Sequence, residues 1–262
     1  MSLLISNLGN RGRGTVYCMC YVGNEIYYGT LDGYVIRHSD GNEVNVSVNG
    51  IWTIHYSNTG RLWVTSGWHE TFYSDDFINW NPYGAFAGNK HFLTTFTIGI
   101  TNYIIQIGED GIFSSLVLKQ AGVFFSGWKV SDTILYAGES NGHVWKSVDS
   151  GENWVDLGLQ TTGGLAIISM ICTHGGRFIW TDGDSIYYSD DDFVSFNSQI
   201  VNGLGYNIAL CLAEYIEDQT ILAGCENAGI YQSNDNGMTW SAGGTFPGHI
   251  FGDEIRCLLK IL

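Results

Sequence analysis

The sequence predicts an all-β protein built from six copies of one four-stranded unit. Three observations carry that reading. Aromatic residues make up 14% of the chain, and 35 glycines stand against two prolines, a composition suited to pleated strands joined by tight turns. Helical periodicity is hard to find anywhere, whereas short apolar runs bounded by glycine turns are common. One order of segments also recurs six times: apolar strand, polar turn, apolar strand, acidic glycine turn, aromatic strand, Ser-Asp turn.

The first strands of the units are expected over 15–22, 51–56, 92–98, 124–130, 167–173 and 208–215. Their second strands, acidic turns and aromatic third strands fill 25–39, 61–74, 103–114, 133–147, 177–189 and 220–233. The serines that close these stretches, Ser39, Ser74, Ser114, Ser147, Ser189 and Ser233, recur 35, 40, 33, 42 and 44 residues apart, room for four short strands. A sheet of this kind cannot bury both faces alone, so neighbours must stack around an axis. The expected architecture is therefore a single β-propeller domain over 1–262, with four-stranded antiparallel blades at about 15–48, 51–84, 91–120, 123–158, 165–199 and 207–244. Segments 2–8 and 254–262 are expected to pair as closure strands. The rival is a seven-bladed ring with one incomplete blade.

Two octapeptides repeat one pattern, Ser147-Val148-Asp149-Ser150-Gly151-Glu152-Asn153-Trp154 and Ser233-Asn234-Asp235-Asn236-Gly237-Met238-Thr239-Trp240. Partial copies run from Ser74 through Asp76 to Trp80, one residue short, and from Ser189 through Asp191 to Phe196, with Phe193 in the glycine position. The pattern resembles the Asp box of sialidase-type (BNR) repeat propellers. Its mechanics are local: Ser and Asp hydrogen-bond the turn backbone, Gly permits a positive φ, and Trp packs inward. Trp80, Trp154 and Trp240 are accordingly expected in the core.

The resemblance raises the question of catalysis. Sialidases gather arginines on a substrate carboxylate, one of them in an Arg-Ile-Pro motif, and add a Tyr/Glu pair and an aspartate. None of the six arginines here precedes Ile-Pro, and Arg61 and Arg177 open second strands, at the end away from that family's active site. Other glycoside hydrolases would need two suitably spaced carboxylates. The 26 acidic residues make a chance pair unavoidable and so uninformative. The oxygen-rich stretches at Asp190–Asp192 and Asn234–Gly237 lack the downstream bidentate Glu of a calcium loop, and His69-Glu70 lacks a second histidine, so neither metal nor cofactor is expected.

Eleven basic against 26 acidic residues give a formal net charge of −15, which disfavours nucleic acid and anionic membranes as partners. No apolar run is long enough for a transmembrane helix, and the N-terminus lacks the basic region and cleavage site of a signal peptide, so residence in a virion or the cytoplasm is expected. Six cysteines without a C-x-x-C pair fit buried thiols in a reduced compartment.

The acidic turns between second and third strands offer a candidate site. Asp32, Glu70, Glu109 with Asp110, Glu139, Asp182 with Asp184, and Glu226 are expected on one rim, with Trp68 and His69 as anchoring or sugar-stacking groups. Two such charges about 10 Å apart in water repel by only about 0.4 kcal/mol, so the rim tolerates its charge. The functional expectation is a non-catalytic interaction or assembly module. Within that class the composition leans to a virus or bacteriophage particle component presenting loops to a protein or a glycan. The alternatives are a glycoside hydrolase and a cellular assembly factor, since acidic Asp-box propellers also resemble photosystem assembly proteins.

Overall fold

The computed structural model describes residues 3–5, 16–22, 25–67, 70–85, 88–98, 101–199, 208–215, 220–226, 229–242 and 258–260. Every regular element among them is a β-strand. A short β1 (Leu3–Ile5) precedes the first blade, which comprises β2 (Val16–Val22), β3 (Glu25–Thr30), β4 (Tyr34–Arg37) and β5 (Glu43–Asn45). The second blade holds β6 (Ile51–Tyr56), β7 (Leu62–Ser66), β8 (Glu70–Ser74) and β9 (Asn81–Ala85), and the third β10 (Lys90–Ile98), β11 (Thr101–Gly108), β12 (Gly111–Ser114) and β13 (Val117–Gln120). The fourth contains β14 (Phe124–Lys129), β15 (Leu135–Glu139), β16 (His143–Ser147) and β17 (Val155–Leu159). The fifth contains β18 (Ser169–Cys172), β19 (Phe178–Thr181), β20 (Ile186–Ser189) and β21 (Asn197–Gln199). The sixth contains β22 (Ala209–Tyr215), β23 (Thr220–Cys225), β24 (Gly229–Ser233) and β25 (Ser241–Ala242). In each sheet the strands follow chain order. These are the blades of a six-bladed, not a seven-bladed, β-propeller.

By internal contacts the chain divides into two compact units, Leu8–Ala137 with Lys146–Val155, and Met1–Asn7 with Gly138–Trp145 and Asp156–Leu262. Within the first, the opening strands of successive blades lie side by side, β2 by β6, β6 by β10 and β10 by β14. Within the second, β18 lies by β22, and β22 by β26 (Leu258–Lys260). β26 pairs antiparallel with β1, Leu4 opposite Leu259.

Burial follows strand position. β7, β19 and β23 are buried at every residue, while β5 and β25 are largely exposed. A second strand buried on both faces is largely apolar and carries no charge, its few polar side chains being Thr and Ser, whereas a fourth strand is an edge open to water. Cys18, Val35, Ile51, Ile54, Leu62, Val64 and Phe77 form one core cluster between the first two blades. Trp63, Leu93 and Ile104 form another between the second and third. In the other unit Trp180 is fully buried, stacks on Tyr187 at 5.7 Å, and donates its indole N–H to Gln160 O at 2.8 Å.

Cys18, Cys20, Cys172, Cys211 and Cys225 are free thiols. Burial pushes the pKa of Cys20 up to about 11 and that of Cys225 up to about 12, so both stay protonated and inert at neutral pH.

Candidate binding face

The Ser-x-Asp turns close the third-to-fourth strand hairpins, and their chemistry is structural. Ser74, Ser147, Ser189 and Ser233 each donate Oγ–H to the aspartate two residues on, Asp76, Asp149, Asp191 and Asp235, at 3.1, 2.8, 2.9 and 2.8 Å. In the full-length turns the serine Oγ also accepts the N–H of Gly151, Phe193 or Gly237 at 2.9, 3.0 and 2.8 Å. The aspartates accept later backbone N–H groups, from Asn79, Asn153, Ser195 and Thr239. These bonds hold the pKa of Asp76 down at about 2. At Asp149 and Asp235 burial pushes upward, but the turn hydrogen bonds outweigh it and the net shift is downward.

Phe77 and Phe193 adopt φ of 68° and 67°, the left-handed conformation that glycine holds in the two complete copies. Trp80, Trp154 and Trp240 donate their indole N–H to the carbonyls of Phe77, Gly151 and Gly237 at 2.9, 3.0 and 3.1 Å. Trp154 is buried, whereas Trp80 and Trp240 are half-buried, Trp80 packing against the core cluster of the first two blades.

At this same end Arg61 makes a two-pronged pair with Asp75 (2.7 and 3.0 Å), and Arg177 with Asp190 (2.6 and 2.8 Å). Their guanidinium carbons lie 4.2 and 4.4 Å from the ring centroids of Tyr73 and Tyr188. The sequence carried this signal: an arginine opens the second strand, and an aspartate follows the turn serine.

The opposite end of each sheet carries the acidic turns between second and third strands. In the unit holding the first three blades, Asp32 is exposed and accepts from Thr30 Oγ1. Glu70 lies within reach of the hydroxyls of Ser47 (3.3 Å) and Ser66 (3.4 Å), and Glu109 Oε2 accepts from the N–H and Nδ2 of Asn89 at 3.3 and 3.2 Å. Asp110 pairs with Lys90, a lysine only 1% exposed. Burial lowers the Lys90 pKa, and Asp110 pulls it back toward the charged form.

In the other unit Glu139 accepts the indole N–H of Trp145 at 2.8 Å. Asp182 is buried and accepts from the N–H of Asp184 (3.1 Å), the N–H of Ser185 (2.8 Å) and the hydroxyl of Tyr187 (2.6 Å). It is a turn-holding group, not a rim group open to a partner. Asp184 is exposed and Glu226 half-buried. Trp68 and His69 lie outside the described residues.

Two features escaped the sequence reading. One is a row of aromatic side chains, Tyr17, Trp52, His91 and Phe125, at one position in four successive first strands. The signal was an aromatic or histidine directly after the buried residue near each strand's start. The other is a cleft of about 470 Å³ lined by His55, Ser57, Thr95, Lys129 and Asp132. There His55 Nε2 lies 3.0 Å from Thr95 Oγ1, and Lys129 bonds Thr95 O at 2.7 Å and Asp132 at 2.7 Å. Burial, with Lys129 nearby, lowers the His55 pKa to about 4.

No family model and no curated protein matches the chain. Among solved structures it is similar to YCF48 from Cyanidioschyzon merolae, with a TM-score of 0.69 and 13% identity over 93% of this chain and 88% of that one. A structure of YCF48 bound to a D1 peptide gives 0.70 and 14% over 92% and 83%. The Cps50 (Swd1) β-propeller domain of Myceliophteria thermophila gives 0.63 and 12% over 92% and 87%. At these identities the likeness is one of fold, and that fold is the β-propeller.

Proposed function

We propose that this protein is a non-catalytic interaction module whose partner is another protein, bound at the end of the blades that carries the second-to-third strand turns. The observation that carries the reading is the way those turns are held. Glu70, Glu109, Glu139 and Asp182 each accept hydrogen bonds from a neighbouring loop, turn or strand, so the loops are set before a partner arrives. Preorganised loops lose little entropy on binding. The YCF48 structure with a D1 peptide bound supports the same reading, as an example of a similar fold holding a peptide. The narrower form makes the chain an Asp-box propeller within a virus or bacteriophage particle. Its motivation is the acidic chain rich in Gly, Tyr and Trp.

The test is native purification followed by cross-linking and mass spectrometry. A stoichiometric protein partner is expected, and in the narrower form that partner belongs to a particle. Isolation only as a free monomer would count against the module reading. The rival, a glycoside hydrolase, is favoured instead if a panel of glycosidic substrates is turned over and a single turn-carboxylate substitution such as Glu109→Gln abolishes the turnover. Neutralising Asp184 and Glu226 should weaken a basic partner with little effect on thermal stability. Asp182 must be left intact, because its hydrogen bonds hold the turn.

A further inference from the structure

In four of the described first strands the pairing with the second strand slips by one residue near the start; in β22 the skipped residue is Leu210, and in the other three it is aromatic or histidine. Val16 faces Thr30 but Cys18 faces Gly29, Ile51 faces Ser66 but Thr53 faces Thr65, and Lys90 faces Gly108 but Phe92 faces Ile107. In these three the skipped residues are Tyr17, Trp52 and His91. A bulge of this kind frees one residue from the ladder and re-aims its side chain. Here the freed side chains meet one another and Phe125. Tyr17 lies 5.1 Å from Trp52 at 66°, Trp52 lies 5.6 Å from His91 at 82°, and His91 lies 5.0 Å from Phe125 at 54°. The residue before each, Val16, Ile51, Lys90 or Phe124, is buried, whereas all four rings are half-buried and keep part of their surface in water.

The same registers place this aromatic strip beside the acidic turns. The start of a first strand faces the end of a second strand, where the second-to-third turn begins. Trp52 Nε1 crowds Gly67, where a Cβ would lie 2.9 Å from it, and Glu70 follows in that turn. His91 Nε2 lies 3.5 Å from Glu109 Oε1, too poorly placed to hydrogen-bond, so this buried ring nitrogen has no hydrogen-bond partner. Lys90 is taken by Asp110, which leaves the charges of Asp32, Glu70 and Glu109 at this end.

We propose that the strip formed by Tyr17, Trp52, His91 and Phe125 is the docking site for an arginine side chain of a basic peptide segment in the partner. The proposal rests on the interaction-module reading and adds the chemistry of its ligand. A guanidinium is planar and weakly hydrated, so it stacks on aromatic faces while its edge donates to carboxylates. Rings lined up beside Glu109 and Glu70 offer both. An anion would be repelled by the carboxylates, and a purely apolar group would pay for desolvating them. Lysine satisfies the charge but stacks poorly, so the strip favours arginine.

The test uses the full chain and blocked six-residue peptides with two arginines among glycines. Two matched peptides carry lysine or neutral citrulline in the same places. Calorimetry and tryptophan fluorescence should show the arginine peptide binding, the lysine peptide binding several-fold more weakly, and the citrulline peptide about tenfold or more weaker. Trp52→Leu should cost about tenfold in affinity and Glu109→Gln about fivefold. Asp132→Asn, an equal charge change on a first-to-second strand turn, should change it less than about twofold. Circular dichroism melts identify any variant that fails to fold, and Glu109→Gln, which keeps the shape of the side chain, reports independently of Trp52→Leu.

Equal binding of the citrulline peptide, unchanged binding by folded Trp52→Leu or Glu109→Gln, or no binding of the arginine peptide would overturn the proposal. If the native partner still co-purifies with both variants, the docking site is elsewhere and the module reading stands. If wild-type chain purifies alone, the module reading itself fails.

Discussion

Trp154 is fixed twice, by its indole hydrogen bond to Gly151 O and by burial to 9% exposure. Removing a buried aromatic ring of this kind costs roughly 3–5 kcal/mol, so Trp154→Ala should lower the urea midpoint sharply. Trp240 makes the same hydrogen bond but is half-buried, and Trp240→Ala should cost clearly less. Equal losses would show that the hydrogen bond, not burial, sets the value of this position. His55 supports a prediction about pH. In the unfolded chain it titrates near 6.5, and in the folded protein near 4. Between those values the unfolded state holds a proton that the folded state refuses, so stability falls as the pH drops from 6.5 toward 4, by about 3 kcal/mol in all. The turn aspartates are lowered groups as well, but their contribution is lost only below about pH 4, so the two windows separate. Urea unfolding of wild type and His55→Gln at pH 7, 5.5 and 4.5 should show a flatter profile for the variant. A residual slope from His91, lowered by the same cause of burial, should remain. Parallel profiles would mean that His55 is protonated freely in the folded state.

Among the elements, a turn that packs against a neighbouring blade is sensitive to size. Gly151 has φ +81° and a Cβ there would lie 2.6 Å from Cδ1 of Ile105, a side chain with no exposed surface. Gly176, in the turn between β18 and β19, has φ +85° with nothing within 4 Å. Gly176→Ala should therefore cost only the left-handed backbone penalty, about 1–2 kcal/mol. Gly151→Ala should cost that plus about 1–3 kcal/mol of overpacking. The difference between the two melting curves isolates the inter-blade contact, and no difference would mean that Ile105 gives way freely. The sequence made these turns legible where Ser, Asp, Gly and Trp all stand in their places. It showed only partial copies where phenylalanine takes a positive φ, because Phe77 and Phe193 trade backbone strain for buried rings. The bulges were hidden for another reason. A one-residue slip at Tyr17, Trp52 or His91 barely disturbs a period-two pattern that is already apolar on both faces. The fate of the turn carboxylates was hidden too, since Lys90 and Asp110 meet across 20 residues of chain and only the register brings them together.

At the scale of the whole molecule, the two ends of the chain meet in β1 and β26, with Leu3 opposite Lys260 and Ile5 opposite Leu258. Closing a loop of this length carries an entropic cost, though each doubling of length adds only about 0.6 kcal/mol. A two-stranded sheet is marginal in water by itself, so this one depends on what β26 packs against, which within its unit is β22. The first strand of the sixth blade is thereby covered by a pair whose other half lies at the start of the chain. Deleting residues 1–7 removes β1 and leaves three residues of β26 with an open edge. At about 1 kcal/mol net per lost backbone hydrogen bond, the deletion should cost about 2–3 kcal/mol. For a chain of this size that corresponds to a melting temperature lower by roughly 4–12 °C. Amide exchange at Leu258, Leu259 and Lys260 should accelerate in the deletion variant, and the newly open edge should raise its tendency to aggregate. An unchanged melting temperature with faster exchange confined to those three residues would show that the paired ends fray independently of the blades. A fall in melting temperature with faster exchange spreading into β22 would show that the pairing of the chain ends belongs to the cooperative core of its unit.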